Sequence, residues 1–295
     1  MSRLSLRLLA WAWLAPGLAC ARNPLPTPAR PAAASVDVMA VGQADAILLS
    51  SAAGKHVLID GGEAETGPSV VAYLRSRSAC PLDLVLLTHP HADHLGGLPR
   101  VVEECGTRQY MDNGYHHESK TYARLLEMLE ARQIPLLHAE AGRQIDLGSG
   151  AILGLLGPPQ PFLEDGAEGA NASSVVARLA VGKTSVLLAG DANATEEAWL
   201  LGRGQPLRST VLKVGHHGSR TSSTGNFLAA VAPHLAVVSD KPDAPKHPHP
   251  ETLGRLRAAR AQVIETAKEG TIHLALDGEG VTWSSASHPT PVPVP

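Results

Sequence analysis

The sequence predicts an α/β protein in which two mixed sheets pack face to face with helices outside, and three observations carry that expectation. Residues 36–60 hold three short apolar runs broken by turn residues, the mark of an antiparallel meander, and residues 134–188 hold a second meander of five runs. After each meander the pattern changes to amphipathic helices alternating with short strands, so the order is sheet, helices, sheet, helices. Two halves of the same type bury their apolar faces most simply against each other. Finally, 295 residues that are 44% hydrophobic supply enough material for a large core, and with aromatics at only 3% that core must be Leu, Val and Ala.

Taken in order, residues 36–41 alternate weakly and read as a strand, and Gly42-Gln43-Ala44-Asp45 makes a turn. Residues 46–49 and 56–60 complete the first meander, ended by Gly61-Gly62, with His56 a half-exposed strand residue. A helix over 69–77, a strand over 84–87, a helix over 95–104, a short strand over 109–111 and a charged amphipathic helix over 122–132 follow. His116-His117, in the loop before that last helix, reads as an exposed rim. The second meander comprises 134–137, 144–147, 152–156, 175–181 and 185–188, the last two joined as a hairpin across Gly182-Lys183. Residues 157–172, rich in Pro and Gly, have the length of a lid over a site. Helices near 196–201, 226–231 and 250–260 then alternate with strands over 210–214, 235–239 and 263–264, and strands over 272–276 and 281–283 close the domain.

The ends read differently. Arg3 and Arg7 precede an apolar run over 8–14, then Pro16 and Gly17, which is the build of a secretory signal and shorter than the roughly 20 apolar residues of a membrane span. Two processing readings compete. Ala19-Cys20-Ala21 offers an A-x-A cleavage site, whereas Gly17-Leu18-Ala19-Cys20 resembles a lipoprotein box, with Gly where Leu is usual, and would attach the chain to a membrane through a lipidated Cys20. Either way the protein is expected to be exported, whether periplasmic, membrane-anchored or secreted. The expected organisation is a signal over 1–21, a Pro-rich linker over 22–34, one domain over 35–286 and an unstructured Pro-rich tail over 287–295. Cys80 precedes one strand and Cys105 ends the helix after it, so the chain returns to the same end of the layer. A disulfide there suits an oxidising compartment; two unpaired buried thiols are the alternative.

The chemistry concentrates in Thr88-His89-Pro90-His91-Ala92-Asp93-His94, just after an apolar strand. Neutral imidazoles and carboxylates are the ligands of zinc and similar divalent ions. At a strand end His89 and His91 point the same way, and Asp93 and His94 open the next helix and fold back over them. Two ligand pairs are thereby aimed at two nearby points, as in a two-metal hydrolytic site; a solvated His-rich turn is the competing reading. Three further stretches sit at strand ends: Ala189-Gly190-Asp191-Ala192, Val214-Gly215-His216-His217-Gly218-Ser219 and Lys246-His247-Pro248-His249-Pro250-Glu251. Half of the fourteen histidines fall at 89, 91, 94, 216, 217, 247 and 249, which argues for one common site. Asp60, before two glycines, is either an Asx-type turn or a carboxylate that orients a metal-bound histidine.

The His89-Pro90-His91-Ala92-Asp93-His94 stretch resembles the signature of the metallo-β-lactamase superfamily, whose fold is a four-layer αβ/βα sandwich. With Val41-Gly42-Gln43-Ala44-Asp45-Ala46, Leu58-Ile59-Asp60-Gly61-Gly62, the Asp191, His216-His217 and His247–His249 stretches in series, residues 36–284 resemble the hydrolase domain of ComEC/Rec2-type DNA-uptake proteins and their free-standing relatives. The resemblance implies two divalent ions, zinc or manganese, held by His89, His91, Asp93, His94, Asp191 and one of the 216/217 pair, with His217 taken as the ligand and His216 as facing the substrate phosphate. It implies Asp93 as orienting the attacking water and His247 or His249 as donating to a phosphate oxygen or leaving group. Asn171, Ser219 and Lys213 are further candidate substrate contacts, and Asp60 and Asp45 candidate supports behind the ligands.

Three departures stand out. Ala40 and Ala44 replace the usual Asp and Gly of the first motif, Asn171-Ala172-Ser173 occupies the place of the superfamily's middle histidine, and the membrane channel of the uptake proteins has no counterpart. Translocation of DNA by this chain alone is therefore not expected. A net charge of −3 argues against a surface coated for nonspecific nucleic-acid binding, although Lys213, Arg220, Lys241 and Lys246 leave room for a local basic groove. The function expected is an exported metal-dependent hydrolase of phosphodiesters, either nucleic acid or a small phosphodiester. An acyl-ester or β-lactam hydrolase and a non-catalytic tethered binding module are the alternatives.

Overall fold

A computed structural model describes residues 32–243 and 247–295. The signal, the lipoprotein box and nearly all of the linker therefore lie outside the described residues. The first half runs β1 (Ala34–Val38), β2 (Ile47–Ser51), β3 (His56–Ile59), α1 (Gly67–Ser76), β4 (Leu84–Leu86), α2 (Ala92–Leu95), α3 (Leu98–Glu104), β5 (Tyr110–Asp112), α4 (Lys120–Ala131) and β6 (Leu136–His138). The second half runs β7 (Gln144–Asp146), β8 (Ala151–Leu155), β9 (Ala177–Val181), β10 (Thr184–Leu188), α5 (Ala194–Gly202), β11 (Val211–Lys213), α6 (Gly225–Val231), β12 (Leu235–Val238), α7 (Pro250–Ala258), β13 (Gln262–Glu265) and α8 (Thr266–Glu269). The strands β14 (Ile272–Leu276), β15 (Val281–Ser284) and β16 (Val292–Pro293) complete the chain.

Two mixed sheets result. One has the order β16-β15-β14-β1-β2-β3-β4-β5-β6, the other β13-β12-β11-β10-β9-β8-β7. Each joins an antiparallel meander to parallel strands, the switch falling at β3–β4 in one sheet and β10–β11 in the other. Both faces of the central strands are apolar, as a buried parallel region requires. Ile47 and Leu49 point into the core between the sheets with Leu153, Leu179 and Val186, while Leu48 points out beneath α1, α3 and α4 with Val70, Leu74 and Leu125. The second sheet repeats this on its outer face, where Leu187 and Leu212 meet Leu200, Phe227 and Leu256. The result is the αβ/βα sandwich.

Three details correct the sequence reading. The strand near 134–137 does not belong to the second meander; β6 lies parallel to β5 at the edge of the first sheet. One helix over 95–104 is instead two, α2 and α3, broken at Gly96-Gly97. The Gly61-Gly62 turn lies against that break, with Gly97 N donating to Gly62 O at 3.0 Å, and a Cβ on Gly97 would come within 2.1 Å of the Gly61 carbonyl oxygen. The tail over 287–295 is not unstructured: β16 pairs antiparallel with β15, and Val292 and Val294 pack on the inter-sheet core. The closing strands β14 and β15, which the sequence reading assigned to neither sheet, join the first, with β14 paired directly to β1. Cys80 and Cys105 are bonded to each other with their Cα atoms 5.0 Å apart, tying the segment before β4 to the end of α3.

Candidate metal centre

The parallel strands of both sheets deliver their ends to one place. From the first sheet, β4 leads into Thr88, whose N–H and hydroxyl both donate to the buried carboxylate of Asp60 at 2.7 and 2.8 Å. Asp60 in turn lies 2.8 Å from Nδ1 of His94 in α2. That contact places the Nδ1 proton against the carboxylate and turns Nε2 of His94 toward the centre. His91 occupies the N-cap position of α2, Asp93 lies in its first turn, and His89 is fully buried beside them with its Nε2 3.1 Å from Nδ1 of His91.

The second sheet contributes Asp191 after β10 and His216-His217 after β11. Both histidines adopt the left-handed backbone region, with φ of 48° and 50°. Non-glycine residues there are strained by about 1–3 kcal/mol each and cluster at functional sites. The consequence is geometric: the two adjacent imidazoles diverge onto the two oxygens of one carboxylate. Asp191 Oδ1 lies 3.2 Å from His94 Nε2 and 3.6 Å from His217 Nε2, whereas Oδ2 lies 3.7 Å from both His89 Nε2 and His216 Nε2. Asp191 therefore stands between two sets of imidazoles.

One set is compact. Asp93, His94, Asp191 and His217 each offer a ligand atom, all within 4.8 Å of one another. The buried Nε2 atoms of His94 and His217 and Oδ1 of Asp191 have no hydrogen-bond partner among the described residues. Three buried polar atoms converging without partners are a cost to the fold that a divalent cation would relieve. The ring of His217 is held as firmly as that of His94, since its Nδ1 lies 3.0 Å from the Ser239 hydroxyl and 3.2 Å from the Ser239 carbonyl. An all-imidazole and carboxylate donor set of this kind fits zinc or a comparable divalent metal.

The electrostatics of the two carboxylates and of His89 agree with ligation. Burial alone would raise Asp191, but His94, His217 and His89 outweigh it and hold the carboxyl well below its usual range. Asp93 is likewise lowered against burial by the His217 ring, whose Nε2 lies 3.4 Å from Oδ2, and by the charge of His94. Burial, with His94 alongside, pushes His89 well below the usual imidazole value, which keeps it neutral and able to ligate. For His94 and His217 the nearby carboxylates, Asp191 foremost, overcome burial and raise the imidazole instead.

The remaining sequence candidates separate. Lys213, expected to reach substrate, is a correction: it is buried and its Nζ donates to Asp45 Oδ2 at 2.8 Å and to Val214 O at 2.9 Å. Its position on β11 points the side chain inward, where only a counter-charge makes it tolerable. Asp45 also accepts from the Ser239 hydroxyl, and its Oδ1 is 3.8 Å from His217 Nδ1. His249 is drawn away to cap α7, its Nδ1 accepting from Glu251 N at 3.3 Å, and no hydrogen bond or ion pair among the described residues joins it to the cluster. His247 does face the centre, stacked on His216 with ring centroids 5.6 Å apart, and its Nδ1 lies 3.0 Å from Gln43 Nε2. Asn171 is buried, with Nδ2 donating to Glu168 at 3.0 Å and Oδ1 unpartnered among the described residues. The Ser219 hydroxyl is engaged with Thr221 at 3.1 Å and not with the cluster.

Thr88, Ser239, Glu168 and Gln43 were not legible as site residues. Thr88 carried a signal in standing directly before His89, and Gln43 in standing two residues before Asp45 within the Val41–Ala46 stretch; Ser239 and Glu168 come near only through the fold.

Comparisons place this geometry among known proteins. The model of the metallo-β-lactamase superfamily matches residues 39–240. The competence protein ComA of Neisseria gonorrhoeae is 33% identical over 253 residues, which are 84% of this chain and 33% of ComA. Recombination protein 2 of Haemophilus influenzae is 29% identical over 248 residues, 81% of this chain and 28% of that protein. The chain thus spans about a third of the length of these curated relatives. Among solved structures, the metallo-β-lactamase fold protein YhfI from Bacillus subtilis superposes with a TM-score of 0.48 at 13% identity, covering 79% of this chain and 95% of YhfI. The family match runs through the ends of β4, β10 and β11, so every residue that converges on Asp191 falls inside it, and the chain belongs to the metallo-β-lactamase superfamily.

Proposed function

We propose that this chain is an exported, metal-dependent hydrolase of phosphodiester bonds. The observation that carries the reading is Asp191, whose two oxygens each face a separate pair of histidines. Two divalent ions, zinc or manganese, would be held by Asp93, His94 and His217 on one side and by His89 and His91 on the other, with Asp191 between them, and would supply water activation and charge neutralisation at the phosphoryl oxygens.

The chain's own residues complete the reaction. Asp93 is 30% exposed at its side chain, and its carboxylate can accept a hydrogen bond from the attacking water and so aim it. Gln43 donates its amide to Nδ1 of His247, which leaves that ring's proton on Nε2. Burial, and then the neighbouring His216, lower the His247 imidazole and favour this neutral form, so Nε2–H is the donor available to a phosphate oxygen. Asn171 Oδ1, without a partner among the described residues, is available to the second ion or to substrate.

A nucleic-acid substrate is supported by relatives that are a competence protein and a recombination protein. Export is supported by Arg3, Arg7 and the apolar run over 8–14, and it is consistent with the Cys80–Cys105 disulfide. Mass spectrometry of the mature N-terminus separates a lipidated Cys20 from a free cleaved end.

The deciding assay loads the mature chain with zinc or manganese and offers bis(p-nitrophenyl) phosphate, single-stranded DNA, a β-lactam and an acyl ester. Turnover of a phosphodiester that disappears in Asp191→Ala is expected. Turnover of the β-lactam or acyl ester alone, or of nothing under either metal, overturns the reading.

A further inference from the structure

The seven-stranded sheet carries a second charged cavity, at the end remote from the metal centre. Asp191 and His217 follow β10 and β11, whereas this cavity of about 320 Å³ lies around the starts of β10, β11 and β12. Arg178, Lys183, Arg208 and His234 line it together with the hydroxyls of Ser185 and Thr210, and no carboxylate is among its lining residues.

Arg178 is the anomaly. It is half-buried on β9, and its guanidinium makes three hydrogen bonds, all to neutral oxygens: Nε to Arg208 O at 3.1 Å and Ser209 Oγ at 3.2 Å, and Nη2 to Ser185 Oγ at 2.8 Å. Among the described residues it has no ion-pair partner, and burial with no compensating acid lowers its pKa. A guanidinium remains charged at any ordinary pH, so withdrawing it from water without a counter-charge is costly. Arg208, also lining the cavity, is exposed and likewise lacks an ion pair among the described residues, whereas Lys183 is matched by Glu279 at 2.8 Å.

The hydroxyls point the same way. Ser185 Oγ accepts from Arg178, Thr210 Oγ1 accepts from Ser185 N at 3.3 Å, and neither hydroxyl proton has an acceptor among the described residues. Two guanidinium groups, an imidazole and two free O–H donors surround one space.

We propose that this cavity is a phosphate-binding site separate from the metal centre. Guanidinium forks combined with hydroxyl donors match the several oxygens of a phosphate better than a lone carboxylate. The phosphate belongs either to a small molecule or to a nucleic-acid backbone, and the two share this chemistry.

The test titrates the full mature chain with inorganic phosphate alone, and separately with a short single-stranded oligonucleotide, while following the backbone amide resonances of Ser185, Ser209 and Thr210. Asp191→Asn is run in parallel, so that phosphate bound at the metal centre is read apart. Movement of these amides by inorganic phosphate, unchanged in Asp191→Asn and weakened about tenfold in Arg208→Ala, is the expected result, tenfold being the worth of one charge-assisted hydrogen bond. The same pattern with the oligonucleotide only assigns the site to a backbone phosphate. Arg208 is exposed, so its replacement leaves folding intact, and Arg178→Gln should weaken binding further. If neither ligand moves these amides at millimolar concentration, or if Arg208→Ala binds as tightly as the parent, the proposal is wrong. Either failure leaves the phosphodiesterase reading untouched, because that assay reads a different end of the sheet.

Discussion

Replacing Lys213 by methionine should destabilise the chain by about 3–5 kcal/mol, the usual cost of removing one member of a buried ion pair. Both partners are 1% exposed at their side chains, and the ammonium lies 2.8 Å from Asp45 Oδ2. Without it the carboxylate keeps only the Ser239 hydroxyl and the nearby His217 ring. Burial already works to raise Asp45, and Lys213 is the largest influence lowering it. The orphaned acid would therefore have a folded pKa above its unfolded value. That penalty is present above the unfolded pKa and fades as pH falls through the folded one, so the variant should regain stability relative to the parent on acidification. Against a total of about 5–15 kcal/mol the loss is large and easily read from urea denaturation midpoints at constant slope. Combining Lys213→Met with Asp45→Leu removes the charge left behind and should recover part of the loss. A loss below about 1 kcal/mol, or lost activity at unchanged stability, would mean that Lys213 serves substrate after all and would refute the buried-pair account.

Further outcomes follow from the same contacts. Asp60→Asn deprives His94 Nδ1 of its carboxylate and should weaken metal binding about 10–100-fold, measured by competition with a chromogenic chelator. Burial pushes the Glu197 carboxyl up to about 7 despite the Ser223 and Thr224 amides and Arg255. Folding therefore takes up protons, and stability should fall as pH rises from about 4.5 to about 7. Glu197→Gln should gain about 3 kcal/mol on the parent across that window; a pH-independent difference between the two would contradict it. Replacing both Cys80 and Cys105 by serine opens a loop with a sequence separation of 25, worth about 3.5 kcal/mol by loop entropy, and the loss should vanish when both proteins are compared under reducing conditions.

Most of the elements were legible because their apolar periodicity is set locally. Residues 272–276 coincide with β14, and 185–188 fall within β10. What was not legible depends on partners far along the chain. Nothing local in Leu136-Leu137-His138 distinguishes pairing with β5 from pairing with β7, since its side chains are mostly exposed and carry little periodic signal. The tail read as unstructured from its Pro-rich composition, yet an edge strand loses little by proline's missing N–H, and Val292 and Val294 bury enough to seat it. At the site, the ligand types were evident from composition and spacing. The direction of each ring was not. Lys213 and Asp45 lie 168 positions apart, and nothing at either position announces the other. The divergence of His216 and His217 comes from two left-handed backbone conformations, which a His-His dipeptide does not announce.

The pairing of β1 with both β2 and β14 has a consequence for biosynthesis. Ala34 sits opposite Ser51 on one side and Leu276 on the other. A nascent chain can form the meander β1-β2-β3 early, but it leaves one flank of β1 as a bare row of backbone donors and acceptors until the last strands emerge. Such an edge is a template for pairing with another chain, and contacts this remote in sequence are slow to form. Ribosome-released fragments ending before residue 272 should therefore self-associate, and the vulnerable interval in the life of this protein is the time between the appearance of its first strand and the arrival of β14.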